Sequence, residues 1–320
     1  MMVAFHRRRA FLRELAGTIA CGVVGFQSTQ ASAQSPALQV GIVAGDAFSE
    51  AVYAQAAGFF ERGRLDVNLV PLASSSAVGA ALAGGTIDIG LANPIVIANA
   101  RQRGLPFYAF APSAEFDVSG PSSMLMVEKN SAIRSAQDLI GRTVGSIEIG
   151  GMTQLSLRAW LNQNGVDPAK INFVELPYSA MAAALTSHRI DAGFMGEPSL
   201  TASRGVARQL AIPYESIAKR WYLCLWFSSQ DWLTANGPRA RRFSQIMYQA
   251  AKWENTHKRE TAAMLRDYAH MSDDVVTHMQ RSRYAEEYNA ALLQPLLDAG
   301  AKFGSLQAPI SASELMRTLS

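Results

Sequence analysis

The strongest constraint on this chain is a pattern written twice. Residues 67–94 read V-N-L-V-P-L-A-S-S-S-A-V-G-A-A-L-A-G-G-T-I-D-I-G-L-A-N-P, and residues 171–198 read I-N-F-V-E-L-P-Y-S-A-M-A-A-A-L-T-S-H-R-I-D-A-G-F-M-G-E-P. Asn68 matches Asn172, Leu82 matches Leu185, Ile87-Asp88 matches Ile190-Asp191, Gly90 matches Gly193 and Pro94 matches Pro198. One gap falls in the strand-to-helix loop and a compensating gap before the proline. Chance similarity of alanine-rich helices explains less of this than a strand–helix–strand unit used twice, once in each of two lobes.

The surrounding pattern agrees. In the first half, residues 38–44, 67–72 and 87–91 read as strands, with helices over 48–62 and 77–83. In the second, 143–147, 171–176 and 190–194 read as strands, with helices over 153–164 and 180–187. Strands alternating with helices of this length imply an α/β fold with parallel pairing and right-handed crossovers. Two isolated apolar runs, 123–128 and 221–228, are expected to be the crossings between lobes, lying side by side as a two-strand hinge. This divides the chain into lobe one (36–122 plus 228–320) and lobe two (123–227). The carboxyl-terminal part should be helical over 239–258, 259–268, 273–284 and 285–299. Its stripe of Phe243, Met247, Ala250 and Trp253 should pack back on lobe one.

The amino terminus carries a basic stretch, an apolar run over 15–26 and Ala31-Ser32-Ala33, the three parts of a cleavable export leader over 1–33. Arg8-Arg9-Ala10-Phe11-Leu12-Arg13 is similar to a twin-arginine signal. The formal charge of +3 resides in this leader, so the remainder is neutral and shows no basic face for nucleic acid. The later sequence holds no apolar stretch long enough to span a membrane, and the mature protein is expected to be a monomer. Only Cys224 would remain after cleavage, so no internal disulfide forms, and its apolar neighbours point to burial.

In an open parallel sheet, ligands bind beyond the carboxyl ends of strands, at helix starts. Those positions are Asp46 and Phe48 after the first strand, Ser74, Ser75 and Ser76 after the second, and Asn93 after the third. In lobe two they are Gly151, Met152 and Thr153, then Tyr178, then Glu197. Glu115 and Phe116 lie in the adjacent stretch S-A-E-F-D, and Trp221 supplies another flat wall. Helix starts attract carboxylate, sulfonate or phosphate groups, although capping alone accounts for any single serine. Solvation accounts equally well for Glu115 and Asp117. These loops contain acids but no Lys or Arg, which suits a ligand with an amino or ring N–H group, or a zwitterion, better than a bare inorganic dianion. Motifs for zinc hydrolysis, acyl transfer and nucleotide binding are missing, and His188, His257, His270 and His278 lack metal-ligand spacing. No catalytic residue, cofactor or metal is therefore expected.

With those residues in place, the chain resembles the substrate-binding proteins of nitrate/sulfonate/taurine-type ABC importers. The resemblance rests on four blocks in order, G-F-F-E-R-G-R-L-D-V-N-L-V-P (58–71), A-L-A-G-G-T-I-D-I-G (81–90), S-A-Q-D-L-I-G-R-T-V-G (135–145) and A-A-A-L-T-S-H-R-I-D-A-G-F-M-G-E-P (182–198). It implies a two-lobed type II periplasmic-binding-protein fold and a periplasmic, non-enzymatic protein. A small-molecule ligand, an ABC permease and an ATPase would be its partners. The ligand loops it implies are 46–48, 74–77, Asn93, 151–153, Tyr178 and Glu197. The chain lacks the basic residues expected of nitrate binders and the cysteine cluster of related pyrimidine-synthesising enzymes. A sulfonate such as taurine, or a nitrogenous aromatic or carboxylated compound, is the expected ligand. The alternatives are an enzyme on the same fold, acting on a pyrimidine or cofactor precursor, and a sensory ligand-binding protein.

Overall fold

The computed structural model describes residues 36–269 and 271–319. The leader over 1–33 and His270 lie outside them.

Thirteen strands occur among the described residues. They are β1 (Leu38–Val43), β2 (Val67–Leu72), β3 (Ile89–Ala92), β4 (Phe107–Pro112), β5 (Ala114–Asp117) and β6 (Ser123–Glu128). These are followed by β7 (Thr143–Ser146), β8 (Asn172–Glu175), β9 (Ala192–Gly196) and β10 (Ala207–Ala211). Last come β11 (Arg220–Tyr222), β12 (Leu225–Ser229) and β13 (Arg283–Tyr284). The helices that bear on the site are α1 (Glu50–Ala56), α2 (Phe59–Arg62), α3 (Ser75–Ala83), α4 (Pro94–Gln102) and α5 (Met152–Gln163). They continue with α6 (Tyr178–Thr186), α7 (Ser199–Ala202), α8 (Gln230–Ala235), α9 (Gly237–Thr256) and α10 (Lys258–Ala269).

Two five-stranded sheets share one plan. The first runs β2-β1-β3-β12-β4 and the second, read from the same side, β8-β7-β9-β6-β10. In each, the two strands of the repeated unit flank a third parallel strand, β1 or β7, with Gly41 opposite Gly90 and Gly145 opposite Gly193. The matched aspartates do the same work twice. Asp88 Oδ2 accepts a hydrogen bond from Gln39 N at 2.8 Å, and Asp191 Oδ2 accepts one from Thr143 N at 2.9 Å. Each clamps the start of its central strand. The matched glycines admit close packing against the sheet. A Cβ at Gly90 would stand 2.6 Å from both Val78 and Phe227, and one at Gly193 3.2 Å from Met181 and Ile190.

The crossing is built differently from the expectation. The runs 123–128 and 221–228 do not pair with each other. β6 lies antiparallel between β9 and β10, and β12 lies antiparallel between β3 and β4, so the two occupy equivalent places in different sheets. The strands that meet between the sheets are β5 and β11, with Phe116 opposite Trp221 and Glu115 opposite Tyr222. A short apolar run carries its strand tendency locally but not the identity of its neighbour.

Three helical expectations are also revised, and of the helix expected over 285–299 only Gln294–Lys302 is α-helical, after a single 3-10 turn at Ala290–Leu292. The stretch 48–62 is not one helix, because Gly58 at φ +74° interrupts it between α1 and α2. The expected helix 273–284 ends at His278, and Arg283–Tyr284 becomes β13 against β5. The carboxyl-terminal helices pack as their stripe suggests. Phe243 is buried against Phe60, Phe110 and Trp226, and Trp253 meets Phe59 edge-on at 5.8 Å.

Candidate functional site

The helix starts of both repeats converge on the seam between the sheets. Ser74 caps α3 by accepting from Ala77 N at 3.1 Å, and Asn93 caps α4 by accepting from Val96 N at 3.1 Å. Buried Ser75 accepts from Asn93 N at 3.3 Å and so ties the two starts together. Ser76, next in the chain, is exposed and reaches across the seam, donating to Glu148 Oε1 at 2.7 Å. On the far side, α5 begins at Gly151, where a Cβ would come within 2.3 Å of the Glu148 carboxylate. A glycine there lets Glu148 lie over the helix start. Met152 and Thr153 are buried in the first turn of α5.

Tyr178 opens α6, and its hydroxyl and that of Tyr214 both lie beside the Thr153 side chain. Burial raises the Tyr178 hydroxyl to about 12 and raises that of Tyr214 as well. Cys224, between β11 and β12, is buried close to both tyrosines, and burial pushes its thiol well up. Opposite stands Glu50, the first residue of α1, with its Oε2 accepting from Trp226 Nε1 at 2.7 Å.

The other candidates from the sequence have their polar groups engaged within the protein. Asp46 Oδ1 accepts from Tyr53 at 2.7 Å and pairs with Arg281 at 2.9 Å, while Oδ2 accepts from Ser282 N. Burial alone would raise this carboxyl, but the Arg281 charge and these hydrogen bonds outweigh it and hold it low. Phe48 is partly buried in the same turn. Glu115 is clasped by Arg220 at 2.9 Å and Arg283 at 2.6 Å. Glu197 accepts from Thr201 N at 3.0 Å, Thr201 Oγ1 at 2.9 Å and Gln280 N at 3.1 Å, and burial raises its carboxyl. Phe116 and Trp221 are buried with Tyr214 in an aromatic cluster, and Trp221 Nε1 donates to Tyr214 O at 3.1 Å. The arginines missing from the loops thus arrive from elsewhere in the chain.

Further contacts bridge the seam at its rim. Arg204 donates to His278 O at 3.1 Å, and Arg158 donates to Phe303 O at 3.1 Å. A cavity of about 250 Å3 lies elsewhere, between α2 and α9, lined by Phe59, Arg62, Arg242 and Gln249. It contains none of the helix starts. Among the described residues no group of three or more His, Cys, Asp or Glu side chains has metal-binding geometry, and no helix is long and apolar enough to cross a membrane.

Sequence reasoning passed over Glu50, Ser113, Tyr214 and Cys224 as contributors to this seam. Glu50 stands in the first turn of α1, where the backbone dipole favours any acid, so its position carries no local signal of a further role. The others lie in or beside apolar stretches whose only local message is burial.

This arrangement of two like-built sheets, with helix starts facing one seam, is that of the periplasmic-binding-protein fold. Solved structures with this architecture cover most of the chain. The periplasmic aliphatic sulphonate binding protein SsuA from Escherichia coli matches with a TM-score of 0.74 at 19% identity, over 89% of this chain and 94% of that one. The ligand-binding component of an ABC-type import system from Staphylococcus aureus gives 0.75 at 15% identity, over 89% and 97%. The periplasmic nitrate-binding protein NrtA from Synechocystis PCC 6803 gives 0.70 at 18%, over 85% and 82%. No curated protein matches by sequence. Residues 47–261 match the family described as NMT1/THI5 like, and the chain belongs to that family.

Proposed function

We propose that this protein is an exported, periplasmic solute-binding protein of an ABC importer. It closes two lobes, 36–122 with 228–320 and 123–227, on a small organic molecule and delivers it to a permease and its ATPase. The carrying observation is the seam itself. Helix starts from both halves meet there, with Ser76 in the first turn of α3 bonding to Glu148, which lies over the start of α5. Hinge closure that buries a ligand between such walls is an established use of the geometry. The leader over 1–33 supports export, with its paired arginines favouring the twin-arginine route.

The ligand class follows from the lining. The start of α3 and the Thr153 hydroxyl suit a sulfonate or carboxylate, and Tyr178 with Met152 suits a flat or apolar body. A sulfonate of the taurine kind or a nitrogenous aromatic compound satisfies both. The SsuA likeness supports the sulfonate part of this reading. Two features favour binding over catalysis at the positions an enzyme would use. Glu197 already accepts three hydrogen bonds, and burial raises the Tyr178 hydroxyl away from the neutral range.

A thermal-shift screen against sulfonates, amino acids, pyrimidines and aromatic acids tests the proposal. A true ligand at 100 times its Kd adds about 2.7 kcal/mol of stability, enough to raise Tm by several degrees. Chemical conversion of the stabilising compound during the incubation would sink the binding-protein reading, as would a screen with no shift at all.

A further inference from the structure

The seam holds buried polar atoms that the fold leaves unused. Among the described residues, Glu50 Oε1 and Ser113 Oγ have no hydrogen-bond partner, although both residues are 0% exposed. Ser113 Oγ stands beside the Glu50 carboxylate without a well-formed bond to it. Buried polar atoms are almost always satisfied, so each exception asks what else occupies its place. Ser113 sits between β4 and β5, where its backbone N donates to Cys224 O at 3.2 Å. The open atoms therefore belong to the crossing between the sheets. Tyr178, Tyr214 and Thr153 stand beyond Cys224.

We propose that Glu50, assisted by Ser113, is the docking point for a positively charged nitrogen on the ligand, an ammonium or amidinium group. The inference rests on the binding-protein reading and specifies the ligand within it. A cation with several N–H donors fills both open atoms at once, while Trp226 already holds the other carboxylate oxygen in place. The opposite end of such a ligand would lie toward the Thr153, Tyr178 and Tyr214 hydroxyls, which can donate to an anionic group. One molecule with both ends is a zwitterion, and the loops around the seam need no lysine or arginine to hold it.

The charge state of Glu50 gives the proposal a signature. The groups facing it are Glu254 and Tyr248 from α9, Cys224 from the crossing and Trp226 from β12. Glu254, whose two oxygens are buried without a partner among the described residues, in turn feels Lys258 from α10, Asp46 and Arg281. Burial raises Glu50 to about 8, ahead of the opposing pull of its hydrogen bonds. At pH 7 the free protein therefore carries this carboxyl mostly protonated. Arrival of a cation expels the proton to solvent, so affinity climbs from pH 6 to about 8 and then levels.

The test uses matched probes that differ only in the nitrogen: taurine against 2-hydroxyethanesulfonate, β-alanine against 3-hydroxypropanoate, and 4-(aminomethyl)benzoate against 4-(hydroxymethyl)benzoate. Calorimetry in two buffers of different ionisation enthalpy reads both affinity and proton release. The amine member of a pair should bind at least about 10-fold more tightly than its twin, as for a charge-assisted hydrogen bond, and release close to one proton at pH 7. Glu50→Gln keeps an acceptor for Trp226 and should retain the fold, checked by Tm, while abolishing both the preference and the proton release. Ser113→Ala should weaken amine binding less and keep the preference. Twins that bind equally, or a preference that survives Glu50→Gln, would overturn the proposal and leave the binding-protein reading standing. Binding of no probe at all would overturn both.

Discussion

Asp46 and Glu50 lie four residues apart at the entry to the first helix, and both are buried carboxylates. Asp46 is surrounded by Tyr53, Arg281 and Ser282, and its ionised form is favoured despite burial. Glu50 receives one bond from Trp226, keeps an oxygen without a partner among the described residues, and rises to about 8. The contrast separates two uses of a buried acid. A carboxylate whose lone pairs are filled by the protein locks elements together and has little left for a ligand. One that is held in place but incompletely satisfied retains capacity to bind.

The sharpest way to break this comparison is Asp46→Asn. It keeps acceptors and shape but leaves Arg281, itself nearly buried, without its countercharge. Unfolding in denaturant should show a loss of about 3–5 kcal/mol, the usual cost of orphaning a buried charge. A loss below about 1 kcal/mol would mean that Asp46 is not the lock described here.

Next in size is the pH dependence of stability. An acid whose folded pKa is raised holds its proton in the folded state while the unfolded chain releases it. Stability from Glu50 should therefore fall as pH rises from its ordinary 4.5 to about 8, by a few kcal/mol at most, and then level off. Glu254, pushed up by burial and by Glu50, adds a slope of the same sign. Asp46 acts oppositely, contributing stability that is present above its ordinary 3.8 and lost as pH falls through its lowered folded value. Melting curves across pH 5 to 8 should flatten in Glu50→Gln, and an unchanged slope would remove Glu50 as its source.

Smallest is Ser76→Ala, which removes an exposed bond to Glu148, an acid of a third kind at the mouth of the seam. Stability should change by about 0.5 kcal/mol or less, as for surface substitutions generally. If the bond helps hold the closed form, ligand affinity drops by a few fold, which calorimetry would resolve.

How much of this was visible beforehand follows from sequence distance. The twin units were legible because their signals are local: a short strand, an alanine-rich helix, then Ile-Asp-x-Gly, all within 28 residues in each copy. The structure explains why Asp88 and Asp191 recur, since each clamps the backbone of its central strand. The strand crossing was misassigned because β6 and β12 carry similar apolar runs, and nothing nearby states which sheet receives them. At the site, Asp46, Glu115 and Glu197 drew attention as acids in loops without cations. Their partners Arg281 and Arg220 lie 235 and 105 residues away, and Gln280 lies 83 residues from Glu197.

The sequence by itself determined the two repeated units, the α/β alternation and the helix starts that border the seam, because periodicity, capping and turn chemistry act over a few residues. Tertiary structure alone decided which acids are satisfied and which are left open. That outcome depends on charges and donors delivered from distant parts of the chain into a low-dielectric seam, where one missing hydrogen bond changes both the protonation of a carboxyl and what it can hold.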